Sequence, residues 1–215
     1  MATTDEKDTK NSNLVEKKPQ RIGGFELRVV GDYQFDEVSS ALQKMIRRNQ
    51  EYEACYWAMI LHKSGYYKYV WKRLAVIASE DIGPANPMAP IFVQAMRGNY
   101  DMAVDSQGRQ RGDGELFIFQ AVMYLCRSTK TREADSLACL LTGEFDKGMR
   151  LEIPELALDP HTATGKAKHG RWEQGTDKEK RKRYEKWYNE WSVVTPEAEE
   201  PDRYLERLKK FEATK

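Results

Sequence analysis

The amino-acid sequence predicts an all-α fold, a compact multi-helix bundle with one short extended segment near its amino terminus. Apolar residues recur at three- and four-residue spacing in successive stretches between residues 38 and 211, which is the period of an amphipathic helix. Gly, Pro and Ser-Gly steps separate these stretches and are typical of helix ends. The chain has 215 residues, of which 40% are hydrophobic, and this is enough to enclose one core.

A helical hairpin between residues 70 and 90 is the best-specified part of the chain. Gly83 and Pro84 end its first helix, because Gly accepts a positive φ and Pro cannot continue the hydrogen-bond ladder. Asn86 is the predicted N-cap of the second helix, and Pro87 is its predicted first residue. The apolar face of the first helix is formed by Val70, Leu74, Ile77 and Ala78.

Two acids, Glu80 and Asp81, occupy the last turn of that first helix. Negative charge there faces the negative end of the helix dipole, which costs a few tenths to about 1 kcal/mol for each acid. One interpretation is an ion pair or cap made with a neighbouring helix or with the Gly83 turn. The other is a recognition or catalytic acid pair, although no residue nearby in the sequence completes an active site.

Further helices are predicted on both sides of the hairpin. Asp36 is the predicted N-cap of the first one, and Ser64-Gly65 ends the second. The helix after the hairpin is expected to run to Gly98. A helix that is apolar on nearly every side begins at Asp113 or Gly114, so it is central or faces both the core and a subunit partner. The next helix has an apolar stripe formed by Ala134, Leu137, Ala138 and Leu141.

The polar stretch from residue 99 to residue 114, NYDMAVDSQGRQRGDG, contains Arg109 and Arg111. It is not a phosphate-binding P-loop, because no Gly-Lys-Ser/Thr step opens a helix here. It is either an exposed connection or a basic loop that contacts a nucleic-acid backbone.

Residues 151–172 are irregular, because Pro154 and Pro160 prevent a continuous helix. The spacing of Asp159, His161 and His169 across this loop permits a metal ion, but no further cysteine or carboxylate pattern completes a four-ligand set. We expect neither metal nor cofactor, and we expect His161 to hold the loop by hydrogen bonds.

Basic and aromatic residues alternate between residues 176 and 191, TDKEKRKRYEKWYNEW. This composition suits single-stranded nucleic acid, which basic groups contact through phosphates and aromatic rings contact by stacking. The candidate contacts are Lys178, Lys180, Arg181, Lys182, Arg183, Lys186 and Trp187. Alternatively, the aromatic residues dock the helix onto the core while the lysines remain in water.

A final amphipathic helix is predicted near the carboxyl terminus, where it could form a lid or an oligomer contact. Its apolar residues are Tyr204, Leu205, Leu208 and Phe211.

The composition argues against several classes of protein. The net charge is +1, so the overall electrostatic potential of the chain does not favour binding to nucleic acid or to a membrane. No apolar run approaches the ~18 residues that span a bilayer. The three cysteines suit reduced, buried thiols rather than a disulfide scaffold, and we expect a cytoplasmic protein. No Walker A, nucleophile-elbow, His-Glu-x-x-His or Cys-x-x-Cys motif is present.

The motif RLAVIASEDIGPANPMA, residues 73–89, resembles the post-ATPase domain of the MgsA/RarA family of AAA+ ATPases, which are replication-associated recombination proteins related to Werner-helicase-interacting protein. The family pattern RRL-x-x-x-ASEDIG-x-A-x-P is matched by Arg73, Glu80, Asp81, Gly83 and Pro87. A second family pattern, ALDMHT-x-x-GR-x-x-GRG, is matched by Asp159, His161, Thr162, Gly165 and Gly170.

The resemblance extends over about residues 38–171 and implies a collar-like helical domain similar to clamp-loader and post-AAA+ oligomerisation domains. In that family the domain is associated with tetramer assembly, and the whole protein with stalled replication forks, single-strand-binding protein and recombination. We therefore expect a stand-alone domain without an ATPase module. Its expected partners are other copies of itself, single-stranded DNA, single-strand-binding protein or an AAA+ ATPase, and not a membrane.

The expected organisation is a tail over residues 1–22, the collar-like domain over 23–175, and charged helices over 176–215. The expected function is a non-catalytic oligomerisation or interaction module in DNA replication, repair or recombination. The alternative is a small enzyme with Glu80, Asp81 and His161 in one cleft.

Overall fold

The computed structural model describes residues 21–22, 25–103 and 114–194. Two short strands, β1 (Arg21–Ile22) and β2 (Phe25–Glu26), form an antiparallel pair in which Arg21 lies opposite Glu26. The α-helices within the described residues are α1 (Phe35–Arg47), α2 (Glu51–Lys63), α3 (Tyr67–Ile77), α4 (Met88–Ala103), α5 (Gly114–Arg127), α6 (Glu133–Asp146), α7 (Ala163–His169) and α8 (Asp177–Lys186). The predicted all-α fold is confirmed, and none of these helices is both long and apolar enough to cross a membrane.

The chain divides into two compact units, Met1–Gly148 and Met149–Lys215. Helices α1 to α6 belong to the first unit, and α7 and α8 belong to the second. The boundary expected between residues 175 and 176 falls inside the second unit, so the irregular stretch and the basic helix share one unit.

The core of the first unit lies around α5, which packs against both α2 and α4, while α1 packs against α2. One face of α5 is buried, whereas Leu116 on the other face is 57% exposed. The largest completely buried side chains include Leu42, Ile46, Leu61, Trp71, Leu74, Tyr100, Ile118 and Leu125.

The prediction that Asp36 caps α1 is wrong. The helix begins at Phe35, and its N-cap position is Gln34, which makes no side-chain cap. Phe35 is drawn into the core, where its ring lies 4.9 Å from that of Tyr66 and 4.7 Å from that of Tyr69. Burial of this ring therefore starts the helix two residues earlier than the capping signal indicates.

The prediction that the helix after the hairpin ends at Gly98 is also wrong, because α4 continues to Ala103. Tyr100 gives the physical reason: it is completely buried, with its hydroxyl 2.9 Å from Nε2 of His62. Burying this ring and satisfying its hydroxyl favours the extra turn over the interruption by Gly98.

Helix α6 is present as predicted, but no residue of it is buried. It contacts the hairpin turn near its start, and its apolar stripe is exposed: Leu137 by 53%, Leu140 by 56% and Leu141 by 45%. Cys139 is exposed as well, which corrects the expectation of a buried thiol there. Cys126 in the core is the contrasting case, since burial raises the pKa of its thiol to about 12.

The end of α5 is fastened by Lys130. Its ammonium group donates to the carbonyl oxygens of Leu125, Cys126 and Ser128 at 2.7–2.9 Å, and to Oδ1 of Asn49 at 2.7 Å. A cation at a helix C-terminus satisfies carbonyls that have no partner within the helix. Lys130 therefore joins α5 to the turn between α1 and α2.

The second unit is built around Trp172 and Arg183. The Trp172 ring contacts the rings of Tyr184, Trp187 and Trp191 at centroid distances of 5.4–6.3 Å. Arg183, only 9% exposed, donates to the backbone carbonyls of His169, Trp172 and Gln174. The aromatic rings and one guanidinium thus hold α8 to the loop that precedes it.

Candidate functional site: the acid pair of the helical hairpin

The hairpin places its two acids in an unusual turn. Helix α3 passes directly into a π-helical turn over Ala78–Ile82, which contains Glu80 and Asp81. Gly83 follows with φ 46°, a left-handed conformation that glycine adopts without a Cβ clash. Helix α4 begins at Met88, one residue later than predicted, and Oδ1 of Asn86 accepts from the backbone N–H of Met88 at 3.2 Å. Pro87 is exposed and immediately precedes α4.

Asp81 is buried, with 1% of its surface exposed, and each of its oxygens has a partner. Oδ1 accepts from Nε of Arg47 at 2.6 Å, and Oδ2 accepts from Nε2 of Gln43 at 2.7 Å. Its backbone carbonyl accepts from the N–H of Thr131 at 3.0 Å. A buried carboxylate is retained when charge and hydrogen bonds compensate for lost hydration, and here both do.

Glu80 is the more exposed acid, with 25% of its side chain accessible. Its Oε1 lies 3.4 Å from a guanidinium nitrogen of Arg47 and 3.4 Å from one of Arg132. Arg132 also lies 3.9 Å from Oδ1 of Asp81. The two arginines offset the unfavourable interaction between the acids and the helix dipole.

A second layer of polar contacts supports this arrangement. Gln43 donates to Asp81 through its amide nitrogen and accepts through its amide oxygen from Arg73. Arg73, the first residue of the family motif, therefore orients Gln43 toward the buried acid. Three segments that are distant in sequence meet here: α1, the continuous stretch of α3 and the π-helical turn, and Thr131-Arg132 just before α6.

One member of the acid pair, Glu80, borders a cleft of about 670 Å³ between α3, α4 and the start of α6, whereas Asp81 is buried. Glu80 lines this cleft, together with Trp71, Val76, Val93 and Arg97. The acids' own contacts are arginine and amide groups that hold the two side chains in place. This geometry indicates that the acids join the hairpin to α1 and to the start of α6, in agreement with the ion-pair interpretation.

The contacts of His161 lie within the second unit. Its Nδ1 is 3.0 Å from Oδ2 of Asp159, and its ring contacts Trp172 and Trp187, each at 5.2 Å. Its backbone N–H donates to Oδ1 of Asp159 at 2.9 Å, so the residue holds its loop as expected. Among the described residues no group of three or more His, Cys, Asp or Glu is arranged to hold a metal ion.

The candidate nucleic-acid contacts fall into three groups. Arg109 and Arg111 lie outside the described residues. Arg183 is buried with its guanidinium on backbone carbonyls, and Trp187 packs against Trp172, so both favour the docking alternative.

The other basic side chains of the helix remain accessible to different degrees. Lys180 lies 3.9 Å from Asp177, and Lys186 lies 3.4 Å from Glu190 and over the ring of Trp191. The exposed members are Lys178, Arg181 and Lys182.

Sequence reasoning identified the acids but missed the residues that compensate for them. Gln43 and Arg47 precede Asp81 by 38 and 34 positions, and Arg132 follows Glu80 by 52 positions. The available signal was the acid pair itself, because a carboxylate in an apolar turn requires a cation from elsewhere in the fold.

Comparison with known proteins agrees with this fold. A family model described as the MgsA AAA+ ATPase C-terminal region matches residues 51–212. The chain is also 33% identical over 129 residues to replication-associated recombination protein A of Haemophilus influenzae. That match covers 59% of this chain and 26% of the relative, so the chain corresponds to about a quarter of that protein's length. By its helical fold, its hairpin motif and this match over most of its length, the chain belongs to the family of MgsA AAA+ ATPase C-terminal domains.

Proposed function

We propose that this chain is a non-catalytic module that self-assembles and acts in DNA replication, repair or recombination. The process follows from the relative's name, and the mode of action from the exposed face of α6. Three leucines of one helix, each about half exposed, form an apolar surface of the kind that marks interaction sites. The acid pair supports a non-catalytic role, because both carboxylates are engaged in holding helices together.

The assembly that we propose is a homo-tetramer, in keeping with the family resemblance. Closed symmetric oligomers bury such apolar faces between copies. An AAA+ ATPase module or single-strand-binding protein is the proposed further partner of the assembled surface.

The test is a pair of matched serine variants of the full chain. L137S/L140S removes apolar surface from α6, and we expect the assembly to dissociate at concentrations where the wild type remains associated. I91S/L116S is the control, because Ile91 and Leu116 are exposed to the same degree, 59% and 57%, on other helices. Sedimentation velocity measures both. Dissociation of the control alone, or of neither variant, would contradict the role of α6.

A second proposed activity is contact with single-stranded DNA through the exposed face of α8. Lys178, Arg181 and Lys182 lie on this face, and their phosphate contacts would make binding depend on salt. We expect R181E/K182E to weaken binding of a single-stranded oligonucleotide and to flatten its salt dependence, as measured by fluorescence anisotropy. Salt-insensitive binding by the wild type would remove this part of the proposal.

A further inference from the structure

The apolar stripe of α6 is flanked by acids. Glu133, Leu137, Leu140 and Glu144 follow one another at four-, three- and four-residue spacing, so they form one row along the helix. The helix carries two further acids, Asp135 and Asp146, and no lysine or arginine. Among the described residues, the ion pairs include none with Glu133 or Glu144.

This charge pattern decides what can cover the leucines. Two copies of α6 packed against each other would bring acids opposite acids, and like charges across an interface are unfavourable. An apolar stripe with an acidic border instead fits an amphipathic segment with a basic border.

The carboxyl-terminal sequence supplies such a segment. Residues 203–211, RYLERLKKF, lie outside the described part of the chain and were predicted above to form an amphipathic helix. Arg203, Arg207 and Lys210 follow at four- and three-residue spacing, so a helix over this sequence would place them in one basic row beside the apolar residues. The segment carries four basic residues and one acid, whereas every charged residue of α6 is an acid.

We infer that the α6 stripe of one copy binds residues 203–211 of a second copy, with Glu133 and Glu144 facing the basic row. The inference rests on the proposed self-association and names the two surfaces that form its interface. The leucines supply burial, and the opposite charges determine which surfaces pair. Because donor segment and acceptor helix differ, each chain contributes one of each to the assembly.

Charge reversal in the full chain tests this pairing. R207E/K210E carries an acidic segment with a native α6, and E133K/E144K carries a basic α6 with a native segment. Each variant alone opposes like charges in its self-association, which we expect to weaken roughly tenfold or more. An equimolar mixture should assemble like the wild type, because every segment then meets an α6 of opposite charge. Sedimentation velocity measures the three samples.

The control is K68E/K72E, which makes the same charge change as R207E/K210E at two exposed positions of α3 and should leave assembly unchanged. Failure of the mixture to assemble, while each variant is weakened, would overturn the inference, since it would place the contact within one chain. Wild-type assembly by R207E/K210E alone would overturn it as well. A monomeric wild type would instead refute the proposed self-association itself, so the two failures are distinguishable.

Discussion

Two buried charged residues organise the two units of this chain in different ways. Asp81 of the first unit is 1% exposed, and its carboxylate accepts hydrogen bonds from two side chains of α1, the amide of Gln43 and the cation of Arg47. Arg183 of the second unit is 9% exposed and, within the described residues, donates to backbone carbonyls 9 to 14 positions away. The acid joins segments that are distant in sequence, whereas the arginine closes a local loop.

The difference concerns what each residue contributes to folding. When either member of a buried carboxylate–arginine pair is lost, the charge of the other member remains without compensation. An arginine on carbonyls leaves neutral groups behind when it is lost, and their desolvation costs less. We therefore expect the Asp81 cluster to determine the stability of the first unit and Arg183 to determine the local order of the second.

The largest expected effect is that of D81A. It removes the buried acceptor for Gln43 and leaves Arg47 with its longer pair to Glu80 at 3.4 Å, so the free energy of unfolding should fall by about 3 kcal/mol or more. Urea denaturation measures the change. The matched control is E80Q, which should cost no more than about 1 kcal/mol because Glu80 is partly exposed and its ion pairs are long. Equal decreases in the free energy of unfolding for the two variants would contradict the claim that the buried acid stabilises the fold more than the exposed one.

R183M should have the next largest effect. Methionine keeps the apolar stem but leaves the carbonyls of His169, Trp172 and Gln174 without their donor, at a cost of about 2–3 kcal/mol. Hydrogen exchange should accelerate over residues 155–191 while α1 to α5 keep their protection. R181M is the control, because Arg181 is exposed on the same helix. Faster exchange throughout the first unit would contradict the local role of Arg183.

A backbone contact in the second unit gives a third test. A Cβ at Gly165 would overlap the carbonyl group of Asp159, so G165A should destabilise this unit by about 1–3 kcal/mol. G143A provides the comparison, since a Cβ there has no atom within 4 Å and alanine favours a helix. In thermal denaturation we expect G165A to lower the melting temperature and G143A to raise it. An unchanged melting temperature for G165A would show that the backbone around α7 is not closely packed.

The smallest expected effect is a pH dependence from His62 in the first unit. Burial lowers the pKa of its imidazole, and Glu115, with Oε1 3.3 Å from Nδ1, opposes that shift. Because the folded pKa lies below the ordinary histidine value of 6.5, the unfolded chain takes up the proton first as the pH falls. Stability from this residue is complete above about pH 6.5 and is lost as the pH falls through the folded value. H62N should lose stability less steeply between pH 7 and pH 5 than the wild type, and identical slopes would contradict the burial of this group.

Sequence reasoning predicted the helical fold and the hairpin because both depend on local patterns. Gly83 and Asn86 act in their own turn, so their residue types alone indicate the corner. The same local reasoning failed at Asp36 and Gly98, where the buried rings of Phe35 and Tyr100 override the end signals. Burial of a ring depends on helices elsewhere in the chain, which periodicity does not report.

The same distinction between local and long-range contacts applies to the candidate functional residues. Asp81 was recognisable as unusual, but its partners Gln43 and Arg47 belong to α1 and carry no signal in their own sequence context. Arg183 shows the converse error, since a run of basic residues gave no reason to separate the buried member from its exposed neighbours Arg181 and Lys182. In α6 the stripe was recognised, but its exposure was not, because an apolar helix face looks the same whether its own chain or a partner covers it.

The central claim is that this domain acts by assembling, and the mass of the wild-type chain in solution tests it most directly. Multi-angle light scattering on the full chain, at low and at high salt, should give about 100 kDa at low salt, four times the chain mass of 25.0 kDa. Partial dissociation is expected at high salt, because opposite charges contribute to the pairing. A mass of 25.0 kDa at both salt concentrations would contradict the account.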